Sequence, residues 1–183
     1  MIYGERIRLR AAEREDLPRF VAWLNDREVR QYLLLNLPMS MTQEERWFEH
    51  MQSQPATQHA MVIEAQVGHD WMPIGNTSFN DIDWINRGAE VGIFIGEKSC
   101  WGQGYGQETM RLMLKHGFET LNLNRVYLRV FEHNLRGIRS YEHAGFKHEG
   151  RMRQALYQDG KYYDVLLMSY LRDEWMNEKS AVE

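Results

Sequence analysis

The sequence contains a single cysteine, Cys100, in 183 residues. One cysteine excludes a disulfide bond within the chain, and such bonds are the usual stabilising device of small secreted domains. Proteins without disulfides are typical of a reducing compartment, so we expect a cytoplasmic protein.

Long apolar runs are also missing. The longest one, Phe20 to Leu24, is far shorter than the roughly 20 apolar residues that a membrane helix needs. The amino-terminal stretch MIYGERIRLR alternates charged and apolar residues, which is typical of a strand and not of a secretory signal. The sequence therefore predicts neither a membrane partner nor export.

An excess of basic residues is missing as well. The 22 Lys and Arg residues are outnumbered by 26 Asp and Glu residues, and the formal net charge is −4. A domain that binds nucleic acid is expected to be clearly basic. The charge therefore disfavours a nucleic acid partner and favours a small molecule.

The length predicts one domain over residues 1–183. Hydrophobic spacing predicts the order strand, two helices, three strands, helix, strand, helix, two strands. Thr42 and Glu45 match a capping box at the start of the second helix, and Asp159-Gly160 matches a tight hairpin turn. Such a mixed order predicts an α+β fold, or α/β sandwich, with a partly antiparallel sheet.

The stretch CWGQGYGQET, from Cys100 to Thr109, carries glycine at positions 102, 104 and 106. It lies between a predicted strand, AEVGIFI, and a predicted helix, so its amide groups and the helix dipole can converge on an anion such as phosphate. The spacing fits neither a P-loop nor a Rossmann fingerprint. An ordinary glycine-containing turn between strand and helix is the alternative, and the loop by itself does not decide between them.

Two segments carry a resemblance to a known family. CWGQGYGQET is similar to the pyrophosphate loop of the GNAT N-acetyltransferase superfamily, and NLRGIRSYEHAGF resembles a second motif of that superfamily at the expected separation. AEVGIFI, HGFETLNLNRVYLRV and EGRMRQALYQDGKYYDVLLMS resemble the branch that contains ribosomal-protein N-terminal acetyltransferases and spermidine N-acetyltransferase. The resemblance extends from Arg6 to Tyr170. It implies a mixed, mostly antiparallel central sheet flanked by helices.

The resemblance also implies transfer of an acetyl group from acetyl-CoA to a primary amine by direct attack in a ternary complex. It assigns binding of acetyl-CoA to residues of the strand before the loop, the loop itself and the second motif: Phe94, Ile95, Trp101, Gly102, Gln103, Gly104, Tyr105, Gly106, Gln107, Asn134, Tyr141 and His143. Three positions depart from the pattern. Trp101 stands in place of Arg or Gln, Gly137 in place of a frequent Ser, and His143 in place of a frequent Lys. The backbone amides of the loop are unaffected by these departures.

Two residues match catalytic positions of the superfamily. Glu90 aligns with a glutamate that acts as general base through water, and the alternative is a strand carboxylate paired with Arg87 or a strand neighbour. Tyr141 matches the general acid that protonates the departing thiolate, and the alternative is a core aromatic residue. Cys100 has no evident paired base, which favours a structural thiol over a nucleophile. No metal site is predicted.

Only the charge of one segment indicates which amine accepts the acetyl group. The segment from Val29 to Gln43, which covers the acceptor site in relatives, contains no Asp or Glu, whereas a polyamine needs carboxylates to offset its charges. Arg30, Gln31 and Asn36 offer hydrogen-bond donors instead, so we expect a peptide N-terminus or an amino sugar. Acids outside the segment weaken this argument if they reach the amine, namely Glu49, Asp81 and Asp83. A polyamine acceptor, a non-catalytic acyl-CoA sensor and a homodimeric assembly remain alternatives.

Overall fold

The computed structural model describes residues 1–35 and 37–181. The described residues form eight strands: β1 (Ile2–Tyr3), β2 (Ile7–Ala11), β3 (Met61–Val67), β4 (Asp70–Asp83), β5 (Gly88–Ile95), β6 (Arg125–Phe131), β7 (Lys147–Gln158) and β8 (Lys161–Leu171). They also form six α-helices: α1 (Leu17–Asn25), α2 (Arg27–Arg30), α3 (Met41–Ser53), α4 (Tyr105–Lys115), α5 (Leu135–Ala144) and α6 (Arg172–Ser180).

The chain divides into two compact units. The first contains Met1–Phe79 and Gly92–Thr109, and the second contains Asn80–Val91 and the chain from Met110 onward. The first unit has the strand order β1-β2-β3-β4-β5 and the second β4-β5-β6-β8-β7, because β4 and β5 each run through both units. The pairs β1-β2, β2-β3, β3-β4, β6-β8 and β7-β8 are antiparallel, and β5-β6 is parallel. The predicted α+β fold with a mixed, mostly antiparallel sheet is confirmed, whereas the single domain over residues 1–183 stays a prediction.

Strand β2 shows how alternation places charge in the first unit. Ile7 and Leu9 are fully buried on one face. On the other face Arg8 Nε donates to Glu64 Oε2 at 2.6 Å, and Arg10 Nε donates to Glu64 Oε1 at 2.8 Å. Arg10 also forms an ion pair with Asp16 at 2.7 Å. The negative charges of the buried Glu64 and Asp16 carboxylates are thereby compensated by arginine.

Helices α1 and α3 and strand β5 build an aromatic cluster in the first unit. Phe20 of α1 lies edge-on to Trp47 of α3 and to Phe94 of β5, with ring centroids 6.2 and 6.4 Å apart. Phe48 and Met51 of α3 are buried in the same cluster. Aromatic pairs in edge-to-face geometry contribute about 0.5–1.5 kcal/mol beyond the area they bury, so this cluster fixes α3 against α1 and β5.

Helix α3 begins two residues earlier than the sequence predicts. Ser40 is the N-cap and Gln43 completes the capping box, with reciprocal bonds of 3.2 and 2.9 Å. The predicted Thr42–Glu45 box is therefore wrong. Both pairs have the required three-residue spacing, and the chain before the helix decides which of the two is used.

In the second unit, helix α5 has the termini that its sequence predicts. Asn134 Oδ1 accepts a hydrogen bond from Gly137 N at 2.9 Å, and Gly145 ends the helix at φ +102°. A Cβ atom at Gly145 would lie 2.3 Å from the Tyr170 ring, so close packing requires glycine there as well. The predicted turn between β7 and β8 is also confirmed, since Asp159 and Gly160 both have positive φ.

One buried carboxyl group has no compensating partner. Glu44 lies on the inward face of α3, one turn before Phe48, with 3% of its surface exposed. Within the described residues its carboxyl group makes no ion pair and no hydrogen bond. Burial raises the pKa of Glu44 to about 7, because the charged form is disfavoured away from water.

Replacing this carboxyl group should stabilise the protein above neutral pH. Below about pH 4.5 both the folded and the unfolded state hold the Glu44 proton, and between about 4.5 and 7 only the folded state does. The folded state is therefore increasingly disfavoured across this window. We expect Glu44→Gln to raise the free energy of unfolding at pH 8 by on the order of 3 kcal/mol and to flatten its decline between pH 4.5 and 7.

Chemical denaturation as a function of pH measures this effect. Glu49→Gln is the matched control, since it removes the same charge from the same helix at an exposed position. Equal pH dependence of unfolding in both variants would contradict the assignment of an uncompensated Glu44.

Candidate active site

The glycine loop of the first unit leads directly into helix α4. Gly102 and Gly104 have φ of +75° and +84°, a region that residues with side chains rarely adopt. A Cβ atom at Gly102 would meet nothing within 4 Å, so the backbone there is open to an approaching group. Helix α4 begins at Tyr105, and the first amide groups of a helix have no acceptor within it. The open backbone and the unpaired amide groups at the start of α4 together favour binding of an anion.

The charged side chains of Arg6 and Glu108 make contacts that hold the loop in place. The Arg6 Nη1 atom donates to the Gln103 carbonyl oxygen at 3.0 Å, and its guanidinium lies 4.9 Å from the centre of the Tyr105 ring. The Glu108 carboxylate, in the first turn of α4, accepts hydrogen bonds from the amides of Glu5 and Arg6 at 2.9 and 2.8 Å. The negative charge of Glu108 is thereby compensated, and Arg6 places a positive charge beside the loop.

Sequence reasoning did not identify Arg6 as part of the loop. Arg6 and Gln103 are 97 positions apart, and no local pattern connects them. Arg6 forms an ion pair with Glu108 at 3.2 Å, so its observed role is to connect the loop with the first turn of α4.

The polar side chains of the loop bond to nearby backbone. Trp101 Nε1 donates to the Ile95 carbonyl oxygen at 2.8 Å, and Gln103 Nε2 donates to the Ser99 carbonyl oxygen. Trp101 thus ties the loop to β5, the strand assigned to the donor by resemblance. One lone pair of the Ile95 carbonyl oxygen is used in this contact. The Phe94 carbonyl oxygen faces Gly75 of β4, where a Cβ atom would lie 2.0 Å from it.

The thiol of Cys100 is buried directly before the loop. Burial raises the pKa of the Cys100 thiol, a neighbouring hydrogen bond with Ser99 opposes that change, and the charge of Glu97 adds to it. A raised pKa lowers the fraction of thiolate, which is the nucleophilic form. The structural interpretation of Cys100 is therefore favoured.

Glu90 lies in the second unit, on β5, and forms a two-pronged ion pair. The Nε and Nη2 atoms of Arg129 donate to its two carboxylate oxygens at 2.7 and 2.8 Å. Arg129 is on the neighbouring strand β6, where Tyr127 lies opposite Glu90 in register. The sequence allowed a pair with Arg87 or with a strand neighbour, and the partner is the strand neighbour. The catalytic role of Glu90 stays a prediction.

Tyr141 lies on α5 in the second unit and is half-buried. Burial raises the pKa of Tyr141 to about 12. Its ring stands edge-on to Phe146 with centroids 6.2 Å apart. Within the described residues its hydroxyl group makes no hydrogen bond. Tyr141 therefore combines a packed ring with a hydroxyl group that is not used to hold the fold.

The other two predicted cofactor residues of this unit are Asn134, the N-cap of α5, and His143, in its last turn. The Asn134 side chain serves as N-cap, and a Cβ atom at Gly137 would lie 2.6 Å from its Nδ2 atom. In the observed rotamer, the capping side chain of Asn134 therefore packs directly against Gly137. His143 is exposed in the last turn of the helix. The structure therefore places Glu90, Asn134, Tyr141 and His143 in the second unit and the other predicted cofactor residues in the first.

The donors of the predicted acceptor segment are partly used within the chain. Arg30 Nη2 donates to the Leu35 carbonyl oxygen at 3.3 Å, and Gln31 Nε2 donates to the Glu28 carbonyl oxygen at 2.8 Å. Asn36 lies outside the described residues. The three acids that could have weakened the charge argument are exposed, and Asp83 accepts hydrogen bonds from its own turn.

The acid next to this segment was missed. Glu44 directly follows Gln43 and is buried. Its signal in the sequence is the spacing of four and seven residues to Phe48 and Met51, which places it on the apolar face of α3.

Comparison with known proteins identifies the family. The model of the acetyltransferase (GNAT) domain matches residues 6–147. A spermidine N(1)-acetyltransferase of Vibrio cholerae is 30% identical over 175 residues, which cover 95% of this chain and 98% of that protein. A putative ribosomal N-acetyltransferase, YdaF of Bacillus subtilis, is 35% identical over 117 residues, which cover 64% of this chain and 63% of that protein.

A solved structure is similar over nearly the same length. The crystal structure of spermidine N-acetyltransferase from Vibrio cholerae in complex with CoA and spermine has a TM-score of 0.86 and 27% identity, and the match covers 95% of this chain and 100% of that one. No helix among the described residues has the length and apolar character required to cross a membrane. The chain belongs to the GNAT acetyltransferase family and is an N-acetyltransferase that uses acetyl-CoA.

Proposed function

We propose that this enzyme acetylates a primary amine of a polyamine of the spermidine type. The observation that carries the proposal is the similarity to a spermidine acetyltransferase over 95% of the chain, in sequence and in structure. This replaces the peptide N-terminus or amino sugar that the charge of the segment from Val29 to Gln43 suggested. The match to a putative ribosomal N-acetyltransferase keeps a peptide acceptor as the second candidate.

The first unit would bind the acetyl donor. The amides from Gly102 to Gln107 point from an open loop and the first turn of α4, and they would hold the pyrophosphate. The backbone of Phe94 and Ile95 would pair with the pantetheine arm as an added strand. Trp101 holds the loop against this strand. Acetyl-CoA supplies the thioester that the amine attacks.

Two residues of the second unit would accept a proton from the ammonium group and donate one to the departing thiolate. An alkylammonium group has a pKa near 10.4 and must lose a proton before it attacks. The bidentate contact with Arg129 fixes the orientation of Glu90, and each carboxylate oxygen retains a further lone pair for a water. Glu90 would accept the proton through that water. Tyr141 would donate its proton to the departing thiolate, and burial, which raises its pKa to about 12, makes it a weaker acid than a free phenol.

The loop assignment predicts a selective loss of donor affinity. Gly102→Ala would place a methyl group where phosphate approaches the amides, and we expect acetyl-CoA affinity to fall by about tenfold or more, because hydrogen bonds to charged groups contribute about 1.5–3 kcal/mol. Calorimetric titration with acetyl-CoA measures this affinity. Gly68→Ala is the matched control, since Gly68 also has positive φ and open surroundings and is outside the loop. Equal affinities in the two variants would refute the assignment.

The acid assignment predicts a loss of turnover without a loss of binding. We expect Tyr141→Phe to lower kcat by roughly 10²- to 10⁴-fold, which is the usual contribution of general acid catalysis, and to leave the Kd for acetyl-CoA nearly unchanged. Tyr3→Phe removes a hydroxyl group from an exposed tyrosine and serves as control. Turnover in Tyr141→Phe equal to that of the control would assign the proton to another donor.

The acceptor is tested by comparing amines directly. Release of free thiol from acetyl-CoA is followed with spermidine, with a short peptide bearing a free N-terminus, and with a nucleotide-linked amino sugar. We expect spermidine to have the highest kcat/KM. A higher value for the peptide would favour the second candidate, and a higher value for the amino sugar would overturn both.

A further inference from the structure

The glycine loop of the first unit is held by a residue pair whose members are far apart in the chain. Glu108, in the first turn of α4, accepts hydrogen bonds at Oε1 from the amides of Glu5 and Arg6, at 2.9 and 2.8 Å. Its Oε2 atom accepts a hydrogen bond from Arg6 Nε at 3.2 Å. Arg6 Nη1 donates to the Gln103 carbonyl oxygen at 3.0 Å. The segment before β2 thus contacts both the loop and the helix that follows it.

These contacts restrict the backbone where the donor is proposed to bind. Gly102 and Gly104 have no Cβ atom, so their backbone has more accessible conformations than that of other residues. Ordering such a segment around a ligand costs conformational entropy and weakens binding. Arg6 lies directly beside Gly104, where a Cβ atom would be 3.1 Å from Nη2. A loop that is fixed in advance binds its ligand with a smaller loss of entropy.

The charge of Glu108 must also be compensated if this turn is to hold an anion. The first turn of a helix favours negative charge, and the proposed ligand of this turn is the pyrophosphate of the donor. A carboxylate in the same turn would repel that ligand if it had no partner. The Glu108 side chain is 16% exposed and that of Arg6 is 50% exposed. Solvent therefore reaches the positive member of the pair more easily than the negative one.

We propose that Arg6 and Glu108 are positioning residues for the acetyl donor. This inference rests on the proposed binding of acetyl-CoA by the loop. Glu108 holds the start of α4 against the backbone before β2. Arg6 fixes Gln103 and neutralises Glu108, so that the pyrophosphate meets no uncompensated negative charge at the start of the helix. Neither residue needs to contact the donor for this role.

The experiment measures the Kd for acetyl-CoA by calorimetric titration of Glu108→Gln, Arg6→Gln and the double variant. We expect the Kd to rise about threefold in Glu108→Gln, because the amide oxygen of Gln can still accept the backbone hydrogen bonds. It should rise about tenfold or more in Arg6→Gln, since the Glu108 charge is then uncompensated. The double variant should bind acetyl-CoA about threefold more tightly than Arg6→Gln, because it lacks that charge.

Arg14 and Glu49 provide a matched control pair. They form an exposed ion pair at 3.9 Å in the same unit and outside the loop. Arg14→Gln, Glu49→Gln and their double variant should keep the Kd for acetyl-CoA within about twofold of wild type, because exposed ion pairs contribute little. Chemical denaturation establishes that each variant is folded under the conditions of the titration.

A donor without phosphate groups separates positioning of the loop from a general loss of structure. S-acetylpantetheine carries the thioester and the pantetheine arm but has no pyrophosphate. The acceptor is whichever of the three amines above has the highest kcat/KM with the wild-type enzyme. Arg6→Gln and Glu108→Gln should keep kcat/KM for S-acetylpantetheine within about twofold of wild type, because the lost interaction acts on the pyrophosphate alone. Equal losses with both donors would indicate a general structural effect and overturn the inference.

Failure of this inference differs from failure of the donor assignment. If Gly102→Ala weakens acetyl-CoA binding while Arg6→Gln and Glu108→Gln do not, the loop binds the donor and the positioning role is wrong. A double variant that binds more weakly than Arg6→Gln would also overturn that role. If Gly102→Ala leaves the affinity unchanged, the donor assignment itself is wrong, and the role of Arg6 and Glu108 falls with it.

Discussion

Moving a carboxylate out of water requires a compensating charge or a set of hydrogen-bond donors, and much of the first unit is arranged around this requirement. Glu64 and Asp16 are compensated by the arginines of β2. Glu108 is compensated by Arg6 and by backbone amides before β2. These contacts fix the start of the sheet and the start of α4. Glu44 is the exception, since no partner for its carboxyl group is found in the part of the chain that the structure describes.

The glycine loop shows how conformation and chemistry combine. Gly102 and Gly104 have positive φ, the backbone is open at Gly102, and α4 adds the partial charge of its first turn. The side chains around the loop hold its shape: Trp101 binds the Ile95 carbonyl group, and Arg6 binds the Gln103 carbonyl group. In our proposal the backbone of the loop recognises the donor, and the departures from the family pattern affect only side chains.

The acceptor illustrates the limit of an argument from local charge. The segment from Val29 to Gln43 lacks carboxylates, and this observation favoured a neutral or anionic acceptor. The relatives that match over about 95% of the chain include spermidine N(1)-acetyltransferases. In our proposal the similarity over nearly the full chain counts for more than the charge of this one segment.

The family, the α+β fold, the glycine loop and the caps of α5 could be predicted from the amino-acid sequence, because these depend on residue type and short-range spacing. The sequence did not determine the start of α3, where two capping boxes of equal spacing compete, nor the pairing of Glu90 with Arg129, since contacts between strands are not encoded by local pattern. Arg6 and Glu44 were missed for related reasons. Arg6 reaches the loop only because β2 and α4 are brought together in the first unit. The burial of Glu44 follows only from the packing of α3, and none of the described residues pairs with its carboxyl group.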